Sequence, residues 1–283
     1  MSGRVVVIGS LNIDLVTQVE RHPRPGETLT GTDLVRLAGG KGANQAVAAA
    51  DAGASVTMVG HVGDDEGGRA YRQRLADLGI DVDLVALDPQ RPTGTALIVV
   101  DEAGENSIVI APGANASALW PRTLETAVGS LTAQDVVLLQ QEIPPEANAA
   151  AIRGACAAGA RVFINLAPFA DLPQDVLDLV DAVIVNEHEA RQLADAGLTP
   201  PSTVTTHGAA GAGWDDERRE GLRVPADRVV DTTGAGDAFC GALCAALAAA
   251  GSGEIDKGAA LDAGQQAGAT AVQHAGAQPD AAL

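Results

Sequence analysis

The chain has 283 residues, 46% of them hydrophobic, which is enough to bury a substantial core in one large domain with an appendage. Asp and Glu total 37 against 18 Lys and Arg, a formal charge of −19, and so acidic a surface repels phosphate backbones and anionic lipid heads. Nucleic-acid and membrane-surface partners are thereby argued against, no apolar run reaches the length of a membrane span, and any anionic ligand needs local compensation from a cation, helix N-termini and a few placed basic residues.

The first residues, up to Gly9, are too short and too quickly interrupted for a signal peptide, and Cys156, Cys240 and Cys244 are odd in number. Reduced thiols in a cytoplasm are the expectation. Cys240 and Cys244 would share a helix face without His or Cys partners, so they read as small buried residues rather than a zinc site.

In chain order, β-branched runs at 5–8, 56–60, 136–140, 162–165, 183–185 and 203–206 predict buried strands, while 44–51, 65–78, 145–158 and 187–194 predict helices. Such alternation implies a mostly parallel sheet with helices on both faces, a doubly wound α/β core. Segments at about 15–37 and 82–110 instead contain strands without helices between them, punctuated by Pro23, Pro25, Gly26, Pro92 and the turn at Gly104-Glu105-Asn106. They predict a small β-sheet lid built from two separate pieces of one domain spanning 1–283. After Asp231 come two Ala-rich helices, 237–250 and about 257–273.

Three runs could carry chemistry. At the end of the first strand, Asn12 and Asp14 stand at alternate positions and so on one side of an extended chain, where open α/β sheets bind ligands, although a turn-forming Asn and Asp is the commoner use of such residues. Gly39-Gly40-Lys41-Gly42-Ala43-Asn44-Gln45-Ala46 is a glycine turn feeding a helix. It is not a Walker A loop, because Val35 stands where the first glycine belongs and Gly42 where Ser or Thr should follow the lysine. Nor does a dinucleotide fingerprint follow the first strand, which offers only Gly9. Lys41 and Asn44 suit the gripping of polyol hydroxyls. Asp231-Thr232-Thr233-Gly234-Ala235-Gly236-Asp237 opens a helix, and its glycines let the first-turn amides face an anion with the helix dipole behind them. A carboxylate beside such an anion hole can accept a hydroxyl proton while the amides hold a transferring group.

Together with Pro25-Gly26-Glu27-Thr28, Pro112-Gly113-Ala114-Asn115, Asn165-Leu166-Ala167-Pro168, Asn186-Glu187-His188-Glu189 and Gly276-Ala277-Gln278-Pro279, these runs resemble, in order and over nearly the whole chain, the ribokinase-like (PfkB) carbohydrate kinases. The resemblance implies ATP-dependent phosphorylation of a sugar at its terminal hydroxyl, with D-ribose as the expected acceptor and fructose, a keto-deoxy sugar acid or a nucleoside as alternatives. A non-catalytic sugar-binding regulator is the alternative outside enzymes. It also implies roles residue by residue. Asp237 would be the base, and Gly234, Ala235 and Gly236 the anion hole. Asn12, Asp14, Gly40, Lys41, Asn44 and Glu142 would bind the sugar. Asn186 and Glu189 would organise Mg2+ and phosphate, Thr206, Gly208 and Gly211 would form the nucleotide loop with Gly236, and Gln265 would meet the base. A monovalent cation, K+, would lie at Asp231, Thr233, Ala271, His274, Gly276 and Asp280, and a homodimer would form through the β lid. The chain departs from the family pattern at His274 and Asp280, in the short stretch between Glu189 and Thr206, in the small-residue loop before Trp214, and in ending at Leu283 soon after Pro279.

Overall fold

The structure, a computed structural model, describes residues 3–251, 253–279 and 281–283. The elements run β1 (Val5–Ile8), β2 (Asn12–Gln18), β3 (Val35–Gly39), α1 (Lys41–Asp51), β4 (Val56–Gly63), α2 (Glu66–Asp77), β5 (Asp81–Asp88), β6 (Gly94–Val100), β7 (Asn106–Ala111), α3 (Trp120–Gly129) and β8 (Val136–Gln140). They continue with α4 (Pro145–Ala157), β9 (Arg161–Asn165), α5 (Gln174–Leu177), β10 (Ala182–Asn186), α6 (Glu187–Asp195), β11 (Thr203–Thr206), β12 (Gly211–Trp214), β13 (Glu217–Glu220), α7 (Ala235–Ala250) and α8 (Lys257–Ala271).

Among the described residues nine strands form one sheet, ordered β13-β12-β11-β10-β9-β8-β1-β4-β5, parallel except at β12 and β13. The period-2 alternation of its strands sorts the core into two apolar layers. Val5, Val7 and Leu138 face a layer with Ala46, Leu243 and Leu247, while Val6, Ile8 and Leu139 face one with Trp120, Leu124 and Ile152. Helices therefore cover both faces, as the alternation predicts.

A second sheet of four strands, β3-β2-β6-β7, draws on two pieces of chain. The strand at Asp81–Asp88 corrects the expected lid segment of 82–110: it pairs in parallel with β4 at the edge of the large sheet, and only β6 and β7 join the small one. The connection from α2 supplies the right-handed crossover that a parallel neighbour of β4 requires. The stretch between α6 and β11 adds no further helix.

Two packing features bring the site together. Helices α1 and α7 lie close because Gly241 faces α1, where a Cβ would stand 2.5 Å from the Gln45 carbonyl oxygen. Gly234, before α7, has φ 76, and the chain can turn there from the 231–233 loop into the helix without strain. Cys240 and Cys244 are buried on α7, as small core residues. No helix among the described residues is long and apolar enough to cross a membrane.

Candidate active site

The large sheet determines where polar chemistry collects. Five neighbouring parallel strands, β1, β8, β9, β10 and β11, run at their carboxyl ends into Ser10, Gln140 and Glu142, Asn165, Asn186 and Thr206. That edge is where open α/β sheets leave a crevice.

Asp237 lies in the first turn of α7 and is 7% exposed. Its carboxylate accepts from Asn44 Nδ2 at 3.0 Å and from Gln45 Nε2 at 2.9 Å, both on α1. Each donor is itself held. Gln45 also donates to Asn165 Oδ1 at 3.1 Å and accepts from Gln140 Nε2 at 2.6 Å, and Asn44 Oδ1 accepts from Gln278 Nε2 at 2.8 Å. A buried ionised carboxylate requires such donors.

The sugar-side candidates gather around this carboxylate. Glu142 accepts from Ser10 Oγ at 2.6 Å and from the Lys41 backbone N–H at 3.0 Å. Asn12 is 2% exposed and accepts from Asn115 Nδ2 at 2.7 Å, while Gly40 sets the turn into α1 with φ 88. The Asp14 carboxylate lies over Gly39, where a Cβ would meet it at 2.2 Å. Burial, with Glu142 and Asp237 as like charges, pushes the Asp14 carboxyl up to about 7. Lys41 is the cation among these acids, and Asp237 above all raises its ammonium against the opposing effect of burial.

Lys41, Asp237, Gly234, Gly236, Asn165, Asn186, Glu189, Thr206 and Cys240 line one cavity of ≈ 120 Å³. Asn186 caps α6, its Oδ1 accepting from the His188 and Glu189 backbone N–H groups, while Glu189 Oε2 accepts from Asn186 N at 2.8 Å. Burial raises the Glu189 carboxyl despite that bond. A larger groove of ≈ 730 Å³ between α3 and α4 is lined by Trp120, Leu124, Val128 and Ala147 and has no cationic side chain, so it does not suit phosphate chemistry.

The remaining candidates do not line that cavity. Gly208 and Gly211 turn the chain between β11 and β12, and Gln265 on α8 reaches the Arg219 carbonyl at 3.3 Å. Asp231 accepts from Thr233 N at 2.8 Å and Gly276 N at 2.9 Å, which brings the 231–234 loop against the loop that follows Ala271 and His274. Burial works against ionisation of Asp231, but these backbone donors outweigh it and hold its carboxyl below the ordinary value. Asp280 lies outside the described residues.

The structure adds Ser10, Gln45, Tyr71, Asn115, Asn165 and Gln278, to which the sequence assigns no role. Gln45, Asn115, Asn165 and Gln278 belong to the motif runs, so an amide within a glycine- or proline-flanked run was the available signal.

The chain is 40% identical over 253 residues to the ribokinase of Bacillus subtilis (strain 168), covering 86% of this chain and 85% of that one. Two solved structures share the fold over almost the full length. The ribokinase of Giardia lamblia has a TM-score of 0.83 and 28% identity, covering 98% of this chain and 95% of that one. The Arabidopsis thaliana ribokinase complexed with ribose and ATP has a TM-score of 0.81 and 30% identity, again covering 98% and 95%. The family model of pfkB family carbohydrate kinases spans residues 2–282, and the chain belongs to that family.

Proposed function

We propose that this chain transfers the γ-phosphoryl group of ATP to the 5-hydroxyl of D-ribose, giving ribose 5-phosphate and ADP. The observation that carries the reading is Asp237: a buried carboxylate, held by two amides, at the opening turn of α7 and in one cavity with Lys41, Asn186 and Glu189. Similarity to ribokinases, one of them solved with ribose and ATP, supports the choice of sugar and nucleotide.

Asp237 accepts the hydroxyl proton as the sugar oxygen bonds to the γ-phosphorus and the bond to the ADP oxygen breaks. The amides of Gly234, Ala235, Gly236 and Asp237 face the charge on the phosphoryl oxygens, and Lys41 offsets it from the sugar side. Asn12, Asp14, Asn44 and Glu142 orient the sugar. Thr206, Gly208, Gly211 and Gln265 serve the nucleotide.

Among the described residues no group of three or more His, Cys, Asp or Glu side chains is placed so that it could hold a metal ion. Mg2+ would therefore be held largely by the phosphates of ATP, with the hard oxygens of Asn186 and Glu189 beside it, and would supply charge neutralisation. One carboxylate held low, Asp231, bonded to the backbone of Thr233 and Gly276 in a loop that follows Ala271 and His274, suits a monovalent cation such as K+. The exposed Leu97, Ile108, Val109 and Ile110 of the small sheet support its role as a lid and homodimerisation through it, and the free thiols support a cytoplasmic setting.

The test is ATP consumption with ribose, fructose, a keto-deoxy sugar acid and nucleosides, with and without Mg2+ and K+, in wild type and Asp237→Asn. Turnover should follow ribose and Mg2+ and collapse in the variant. Undiminished turnover in Asp237→Asn refutes the base, and preference for another acceptor refutes the sugar.

A further inference from the structure

Asn44 is useful to Asp237 in only one orientation. With Nδ2 toward the carboxylate it donates a hydrogen bond at 3.0 Å, whereas with Oδ1 there it would set two acceptors against each other. Local sequence does not choose between these orientations, and the choice comes from the far end of the chain.

Gln278 is 2% exposed and sits in the loop after α8. Its Nε2 donates to Asn44 Oδ1 and to Tyr71 Oη, each at 2.8 Å. Tyr71 Oη gives its own proton to the Gly39 carbonyl at 2.7 Å, so toward Gln278 it can only accept. The direction of the whole chain of bonds is thereby fixed. Gln278 must present its amino group to Asn44, Asn44 must answer with its oxygen, and the Asn44 amino group is left for Asp237.

The loop carrying Gln278 is anchored on both sides. Gly276 N donates to Asp231 at 2.9 Å, Arg74 donates to the Pro279 carbonyl at 2.7 Å, and Ala38 N donates to the Ala281 carbonyl at 2.7 Å. Ala277 packs against Gly234, where a Cβ would stand 2.5 Å from the Ala277 Cα. Gln278 is thus held between the entrance of α7 and Tyr71 on α2, whose hydroxyl reaches the Gly39 carbonyl at the end of β3.

We infer that Gln278 is a positioning residue for phosphoryl transfer, fixing the Asn44 amide so that it donates to Asp237. The inference rests on the reading of Asp237 as the base. Gln278→Glu places an acceptor against Asn44 Oδ1 and drives the amide to turn over, while Gln278→Met merely releases it.

Steady-state kinetics per mole of folded enzyme, with the folded fraction taken from thermal unfolding, test this in both variants alongside Asp237→Asn. Expected is a kcat loss of about 10- to 100-fold for Gln278→Glu and about 3- to 10-fold for Gln278→Met. The KM for ATP should stay within about twofold, because the orientation of one amide leaves the nucleotide contacts in place. Wild-type kcat in Gln278→Met overturns the inference, as does a rise in the KM for ATP that accompanies the fall in kcat, which would mean a loosened α7 entrance. So does an equal loss in both variants, which would mean packing alone. If Gln278→Glu does not fold, Gln278→Met decides by kcat and the KM for ATP. Turnover surviving in Asp237→Asn would fault the base, whereas a dead Asp237→Asn with unaffected Gln278 variants would fault Gln278 alone.

Discussion

The two halves of the proposed site around Asp237 are built differently. On the sugar side Asn12, Asn44, Gln45 and Asp237 are buried and every one of them is bonded to another side chain. On the proposed nucleotide side Asn186 and Gly208 are exposed, the neighbouring Val229 and Val230 are open to solvent, and among the described residues Gln265 bonds through its side chain to a backbone carbonyl alone. The first half is held together by its own side-chain hydrogen bonds, so in the proposed reaction binding energy there can go into orientation. The second half is left for the nucleotide to cover. Disturbing the sugar side should therefore cost turnover, and disturbing the nucleotide side should cost affinity.

The largest effect is expected at the point where the two sides meet. Asp237→Asn should lower kcat by about 10³-fold in a ribose-dependent ATP assay, since the amide cannot accept the proton. It would also point an amino group at Asn44 or Gln45, and neither can turn over freely while Gln278 and Gln140 hold their oxygens. Next comes Asp14. Its carboxyl is raised from 3.8 to about 7 by burial and by Glu142 and Asp237, so the folded state holds a proton that the unfolded chain releases. That contribution is intact below pH 4 and is lost as pH rises through about 7. Asp14→Asn should remove the slope and leave the variant about 2–4 kcal/mol more stable than wild type at pH 8, with little difference at pH 4. Denaturant unfolding at the two pH values checks this. A raised KM for ribose in the same variant would identify the strain as one kept for binding.

How much of this was legible depended on how local the cause was. The strands at 5–8, 136–140 and 203–206 have the expected bounds because short β-branched runs end in turn residues there. Asp237 was legible because glycine, anion hole and carboxylate lie within one run. The sequence reading omits helix α3: Pro121 looks like a breaker, yet in the first turn of a helix it costs no hydrogen bond. Strand β5 passed for lid because only its pairing with β4 distinguishes the two sheets. Strands β12 and β13, Gly-Ala-Gly-Trp and Glu-Arg-Arg-Glu, have little β propensity and exist through each other's hydrogen bonds. The contact between Gln278 and Asn44 joins residues 234 positions apart, a distance over which no periodicity carries information.

Two smaller substitutions separate the sides most cleanly. Gln45→Leu keeps the bulk of the side chain but removes one donor to Asp237 and leaves Gln140 Nε2 without its acceptor in the core. It should lower kcat about tenfold and stability by about 1–3 kcal/mol, with the KM for ATP unchanged. Gln265→Ala is the counterpart on the other side and has the smallest expected effect. Among the described residues its side chain makes one hydrogen bond, a long one to the Arg219 carbonyl, at a half-buried position on α8, where alanine suits the helix better than glutamine. Thermal stability should therefore hold, kcat should hold, and the KM for ATP should rise about two- to threefold from one lost polar contact to the base. A tenfold fall in kcat in Gln265→Ala would mean that α8 transmits to Asp237 through its packing on α7, and the division between a preassembled sugar side and a ligand-covered nucleotide side would not hold.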